Sequence, residues 1–297
     1  MIGISLSRSA MFLPAAATTF LLLLAPGVQA WGAMGHETVA YVATDFVAPG
    51  TRTYFQTLLG DTSADYLASV ASWADSYRYT KAGKFSAPFH FIDAHDDPPS
   101  SCGVDFSRDC GAGGCIVSAI SNYTNRLLDT NLRSSDRQVA AKMVIHFLGD
   151  IGQPLHNENL DVGGNDISVE YSGDETNLHH VWDTQIPESV SGGPSLGSAR
   201  SWAVSLTKAI KSGIYASQAS GWVSGLSISD AQSTTLSWAT EANAYVCSAV
   251  LVGGISAVEN KDLSGDYTTK AQPVVSLQIA KQGYRLAKWL DAIAAAV

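Results

Sequence analysis

Positive charge is scarce in this chain of 297 residues: 18 Lys and Arg stand against 27 Asp and Glu, a formal net charge of −9. So acidic a surface repels polyanions, which excludes packaging or regulating nucleic acid through a broad basic face. It leaves open a nucleic-acid substrate in a cleft whose field bound divalent cations reverse. Long apolar runs are also missing. The stretch through Phe20-Leu21-Leu22-Leu23-Leu24 is too short and too interrupted to cross a bilayer, which takes ~20 apolar residues. There is no low-complexity run and no repeat period, which excludes a repeat architecture. With a hydrophobic fraction of 46%, residues 31–297 read as one globular domain with a full core.

Residues 1–30 read as a secretory signal peptide: Arg8 near the start, the apolar stretch, the breaker Pro26, then Val28-Gln29-Ala30 with cleavage after Ala30. Its removal takes Arg8 with it and moves the net charge from −9 to −10. The expectation is a soluble, secreted protein, a monomer by default, with no stable protein partner and no membrane association. Export bears on the four cysteines, which allow three pairings. Cys110 and Cys115 flank Gly-Ala-Gly-Gly, which closes a small loop without steric cost, and that leaves Cys102 with Cys247. A Cys-only zinc site is the rival, disfavoured by the oxidising route of export. Asn122-Tyr123-Thr124 is the one glycosylation sequon, with Asn122 opposite the apolar stripe of its segment.

Helical periodicity dominates. Val117, Ile120, Tyr123, Leu127 and Leu128 recur at i, i+3, i+4 spacing, as do Trp202, Leu206, Ala209 and Ile210, then Leu286, Trp289, Leu290 and Ile293. The fold class expected is all-α, with one small hairpin at Gly163-Gly164-Asn165 and the alternating Ile167–Tyr171. The Gly- and Ser-rich stretch 189–198 is expected to be an exposed loop.

Two segments, His146-Phe147-Leu148-Gly149-Asp150 and His179-His180-Val181-Trp182-Asp183, each place an imidazole and a carboxylate four residues apart, on one face of a helix. Those are the ligand types of catalytic zinc, at a separation that a helix fixes before metal arrives. A single such pair is as well explained by a half-buried hydrogen bond. Two pairs, with His156 just beyond Pro154 and His36 and His90 upstream, allow most of the seven histidines to converge on one site.

Taken in order, Trp31-Gly32 with His36-Glu37, Ser72-Trp73-Ala74-Asp75, His90-Phe91-Ile92-Asp93, Cys102-Gly103-Val104-Asp105, His146 to Asp150, Gln153-Pro154-Leu155-His156 and Asn177-Leu178-His179 to Asp183 resemble the fungal single-strand-specific zinc nucleases of the S-one and P-one type. The resemblance runs to the Gly283–Ala287 helix. It implies a helical fold like that of bacterial zinc phospholipase C around three zinc ions. Carried over, Asp75, His90, His146 and Asp150 bind one zinc, and His156, His179 and Asp183 a second. The α-amine and carbonyl of Trp31, with His36 and the shared Asp150, bind the third. His95 and His180 match no ligand. The resemblance also makes Phe91 a stacking residue and Asp93 a base-edge acceptor; Val162 would close the other face of the base, and Gly163 and Asn165 would line the pocket.

Such a centre activates water for attack on a phosphodiester. Asp75 can orient or deprotonate that water, and Arg78, one turn on, can clamp the charge growing on the phosphoryl oxygens; the bland reading of Arg78 is a solvated surface residue. Phe91 could likewise be plain core. Only an unpaired nucleotide can insert its ring, so single-stranded DNA and RNA are the expected substrates, with 5′-phosphate products and additional activity on 3′-nucleotides. Where some relatives use tyrosines for a second nucleotide site, this chain has Asp174 and Gln185, which puts that site in doubt. A lipid-directed phosphodiesterase would keep the metals but needs an exposed apolar face and a choline pocket, and an inactive metal-binding protein needs neither Arg78 nor Asp93.

Overall fold

The computed structural model describes Gly3 and residues 31–297; the expected signal peptide and its cleavage site lie outside the described residues. In chain order the first helices are α1 (Ala33–Phe46), α2 (Pro49–Leu59), α3 (Trp73–Tyr77), α4 (Phe106–Asp109), α5 (Ile116–Leu128) and α6 (Ser134–Asp150). A left-handed turn, α7 (Asp161–Gly164), precedes the hairpin of β1 (Ser168–Tyr171) and β2 (Asp174–Asn177). Then come α8 (Leu178–His180), α9 (Ile186–Ser191), α10 (Leu196–Ser212), α11 (Ala231–Tyr245) and α12 (Asp266–Ala296). The fold is helical with one hairpin, as the periodicity implies. No described helix is long and apolar enough to cross a membrane.

The long α12 forms a spine against α1, and α10 covers another face of α1. Leu286, Trp289, Leu290 and Ile293 of α12 are fully buried, Trp289 against Thr124 of α5 and Trp238 of α11, and Trp202, Leu206 and Ile210 pack from α10, with Ala209 half-buried at the edge. The crossing is close because position 283 is glycine: a Cβ there would lie 2.5 Å from the Val42 side chain. On the other side α5 packs between α6 and α11, burying Val117, Ile120, Tyr123 and Leu127 while Asn122 faces solvent; Leu128 is half-buried.

Helix α6 is different in kind. Every residue from Met143 to Asp150 is buried, because α1, α2, α3, α5 and α12 all touch it. A helix enclosed on all sides needs no apolar stripe, so polar residues on it must find partners inside the protein.

The disulfides are Cys110–Cys115 and Cys102–Cys247, and no cysteine is free among the described residues, which removes the Cys-only metal site. Two local expectations change. The hairpin turns at Ser172-Gly173, both at positive φ as a two-residue β-turn requires, and not at Gly163-Gly164-Asn165. Asp161, Val162, Gly163 and Gly164 instead run through φ of 47°, 58°, 61° and 77°, the left-handed turn that sequence reading mistook for a hairpin signal. The Gly- and Ser-rich stretch 189–198 is a shorter loop than expected, since α9 and α10 reach in from both ends.

Candidate metal centre

Asp75 comes from α3, His90 from the end of a 3-10 segment (Lys84–His90), and His146 and Asp150 from the buried end of α6. Asp150 Oδ2 lies 3.1 Å from His90 Nδ1 and 3.1 Å from His146 Nε2, and Asp75 Oδ1 lies 3.8 and 3.6 Å from the same two nitrogens. His146 Nδ1 donates to the Ala71 carbonyl at 2.7 Å. A carbonyl can only accept, so Nδ1 carries a proton and Nε2 is the nitrogen turned toward the group.

The second group draws on a 3-10 turn (Pro154–Asn157) for His156, on α8 for His179 and on the π-helical segment Val181–Gln185 for Asp183. The His179–Asp183 pair therefore straddles a change of helix type, unlike the α-helical pair in α6. His179 Nε2 still reaches Asp183 Oδ2 at 3.0 Å. Both imidazoles have Nδ1 committed to a carbonyl, His156 to His90 at 2.8 Å and His179 to Gly163 at 2.6 Å. Their Nε2 atoms then face each other at 3.1 Å beside the Asp183 carboxylate. A bound cation would satisfy both nitrogens and the carboxylate at once.

A third group forms at the start of the described chain. His36 Nε2 stands 2.9 Å from Asp150 Oδ1, the oxygen that His90 and His146 do not use, so the two oxygens of Asp150 face different groups. The His36 ring stacks on His146 at 4.0 Å, and a Cβ on residue 149 would come within 2.7 Å of it, which only glycine avoids. Trp31 is fully buried, its indole N–H donating to Gly149 at 3.0 Å, and Gly32 N–H donates to Asp183 at 2.8 Å. Trp31 and Gly32 are thus pinned between the end of α6 and the Val181–Gln185 segment.

Three buried carboxylates and five buried imidazoles share this region with Arg78, which is 8% exposed. Burial works against the charge on Asp150, but His146 and His36 outweigh it and hold the carboxyl well below its usual range. For Asp183 the opposing partners are His179 and His156, with the same result. Burial pushes His90 down to about 4, while His146, for which burial is outweighed by Asp150 and Asp75, rises to about 9. Both oxygens of Asp75, both ring nitrogens of His36, His90 Nε2 and Asp150 Oδ1 are buried without a hydrogen-bond partner. Unsatisfied atoms this concentrated are otherwise rare. Three His/Asp groups could each hold a metal ion: Asp75, His90 and His146; His36, His146 and Asp150; and His156, His179 and Asp183.

A cleft of about 130 Å³ opens beside the centre, lined by Phe91, Asp93, Val162, Gly163 and Asn165 together with Arg78, His90, His156 and His179. Phe91 is half-buried against this cleft and not closed into the core. Val162 is 63% exposed, held out by the left-handed turn. Arg78 Nη2 stands 4.0 Å from Asp75, and Nε and Nη2 are buried without partners, which rules out a solvated surface role. Burial pushes the Asp93 carboxyl up. His95 and His180 are exposed and outside the three groups. Asp174 is exposed and Gln185 half-buried, and neither lines this cleft.

Sequence reading missed Leu155 and Glu158, which also line the cleft. Glu158 is buried, accepts from Leu160 N–H at 2.8 Å and from Asn243 at 3.2 Å, and burial, with Asp96 nearby, raises its carboxyl to about 7. Its place between His156 and the glycines was the one available signal.

Residues 31–295 match the family described as S1/P1 Nuclease. The chain is 55% identical over 282 residues to Nuclease S1 of Aspergillus oryzae, covering 95% of this chain and 97% of that protein. It is 49% identical over 263 residues to Nuclease P1 of Penicillium citrinum and to Nuclease PA3 of a Penicillium species, covering 89% of this chain and 97% of each. With that extent of likeness around a buried His/Asp centre and an adjoining cleft, the chain belongs to the S1/P1 nuclease family and is a hydrolase of nucleic-acid phosphodiester bonds.

Proposed function

We propose that this protein is a secreted, zinc-dependent nuclease that cleaves single-stranded DNA and RNA to 5′-phosphate products and also acts on 3′-nucleotides. The single observation that carries the metal reading is the facing pair of Nε2 atoms on His156 and His179 beside Asp183, each ring turned that way by an Nδ1 bond to a carbonyl. Imidazole and carboxylate together are the donor set of zinc. Asp75, His90, His146 and Asp150 would hold one ion, and His156, His179 and Asp183 another. The Trp31 amine and carbonyl, His36 and Asp150 would hold a third, which requires the mature chain, residues 31–297, to begin at Trp31 so that its amine is free. When bound, zinc supplies a Lewis acid that makes water nucleophilic near neutral pH and offsets charge on the phosphoryl group.

The chain's own residues do the rest. Asp75, with both oxygens free of hydrogen bonds, orients the attacking water and takes its proton. Arg78 has two unpartnered nitrogens to place on the phosphoryl oxygens, a charge-assisted contact that strengthens as the transition state forms. Phe91 and Val162 hold an unpaired base between them, Asp93 meets its edge, and Gly163 and Asn165 complete the wall. A base in a duplex cannot enter, which gives the single-strand preference. Asn122, exposed on α5, is positioned to carry the glycan, and Cys102–Cys247 and Cys110–Cys115 suit an exported protein.

The test is zinc analysis of the purified mature protein alongside digestion of single-stranded and duplex DNA, RNA and phosphatidylcholine vesicles. Zinc at three equivalents, preferential loss of the single strand and 5′-phosphate ends are expected. Cleavage of phosphatidylcholine with single-stranded DNA and RNA spared would overturn the reading in favour of a lipid-directed enzyme.

A further inference from the structure

Gln153 belongs to the Gln153-Pro154-Leu155-His156 motif, yet nothing in the chemistry above uses its side chain. It is fully buried. Its Nε2 donates to Asp183 Oδ1 at 2.6 Å, and its Oε1 accepts the Leu155 N–H at 2.5 Å. The amide orientation is fixed by both partners, since an ionised carboxylate only accepts and a backbone N–H only donates. The main chain of the same residue donates to the Asp150 carbonyl at 2.9 Å and accepts from His156 N–H at 3.1 Å. Asn157 Nδ2 adds a 2.9 Å bond to the Gln153 carbonyl, and Asn243 in turn donates to the Asn157 carbonyl at 2.8 Å.

From this geometry we infer that Gln153 is the positioning residue of the second metal group. It occupies Asp183 Oδ1 and so leaves Oδ2, 3.0 Å from His179 Nε2, as the oxygen presented to the ion. The other end of the same amide fixes the turn that carries His156. One side chain thereby sets the distance between ligands that are 27 residues apart in the chain, His156 and Asp183. Partners that orient metal ligands typically change affinity by about 10- to 100-fold when removed. The inference rests on the zinc reading above.

Two variants separate positioning from simple capping. Gln153→Met keeps the length and removes both polar contacts. Gln153→Glu keeps an acceptor for Leu155 N–H but turns an oxygen toward Asp183 in place of the donor. Zinc affinities are to be measured by chelator competition on the mature protein, with melting of the metal-free forms as a check on folding. Both variants are expected to bind one zinc equivalent about 10- to 100-fold more weakly and to leave the other equivalents unchanged. Wild-type affinity in the Gln153→Glu variant with loss confined to Gln153→Met would reduce the residue to a cap and overturn the inference. So would an equal loss at every equivalent. Failure of the zinc reading itself looks different: the wild type then takes up no zinc at this group at all.

Discussion

The metal centre and the cleft beside it are built on opposite principles. The His and Asp residues of the centre are no more than 5% exposed, and four of them project from α1, α3 and α6. Three of its imidazoles have Nδ1 held by a backbone carbonyl, which turns Nε2 toward the centre. The cleft wall is open and irregular: Phe91 follows a 3-10 segment, Val162 stands on a left-handed turn, and Asn165 spends its amide on Val162 O at 2.7 Å. A centre that must hold charge in a dry interior is pre-organised, because a misplaced ligand leaves a buried charge uncompensated. A wall that meets any of several bases by stacking tolerates looser construction. Substitutions should therefore act all-or-none in the centre and by degrees in the wall.

The sharpest way to break the comparison is Asp150→Ala. Its two oxygens face two different groups, so the variant should lose metal from both and fall to background activity, read by metal analysis and turnover. Retention of full metal content would show the centre to be less unified than its geometry. Arg78 lies on the boundary between the two regions. Arg78→Ala should keep all metal, since Arg offers no lone pair, while kcat falls by ~10²–10³. Normal turnover in that variant would remove Arg78 from the chemistry.

In the wall, Phe91→Ala should weaken single-stranded oligonucleotide binding by the ~1–3 kcal/mol of one stacked base and leave a small phosphodiester without a base nearly unaffected. Equal loss on both substrates would place Phe91 with the centre. The smallest effect is expected at Val162, a β-branched residue at φ 58° with 63% of its surface exposed. A left-handed conformation costs a non-glycine residue ~1–2 kcal/mol, partly offset by the ~0.5–1 kcal/mol of extra chain entropy that glycine loses on folding. Val162→Gly should thus raise thermal stability by up to ~1 kcal/mol in a melting experiment while oligonucleotide binding weakens. A drop in stability would mean that Val162 contributes packing that its exposure does not suggest.

Much of the fold was legible because it follows local rules. The apolar stripes of α5, α10 and α12 and the four-residue loop closed by Cys110 and Cys115 can be read along the chain, since helix period and loop sterics act over a few residues. So can the His146–Asp150 spacing. What spacing could not state is that the second pair bridges into a π-helical segment, or that a run of glycines makes a left-handed turn and not a hairpin. Both depend on what packs against the backbone. The burial of Arg78, the inclusion of Glu158 in the cleft and the hold of Gln153 on Asp183 lie further still from the sequence. By itself the sequence determined which residue types were available, at what local spacing, and in a chain whose motifs resemble a nuclease. Only the tertiary structure decided which nitrogen of His146, His156 and His179 is held by a carbonyl and which oxygen of Asp150 faces which group. Those choices are made by carbonyls and carboxylates from distant segments, and a hydrogen bond across the fold leaves no trace in the order of residues.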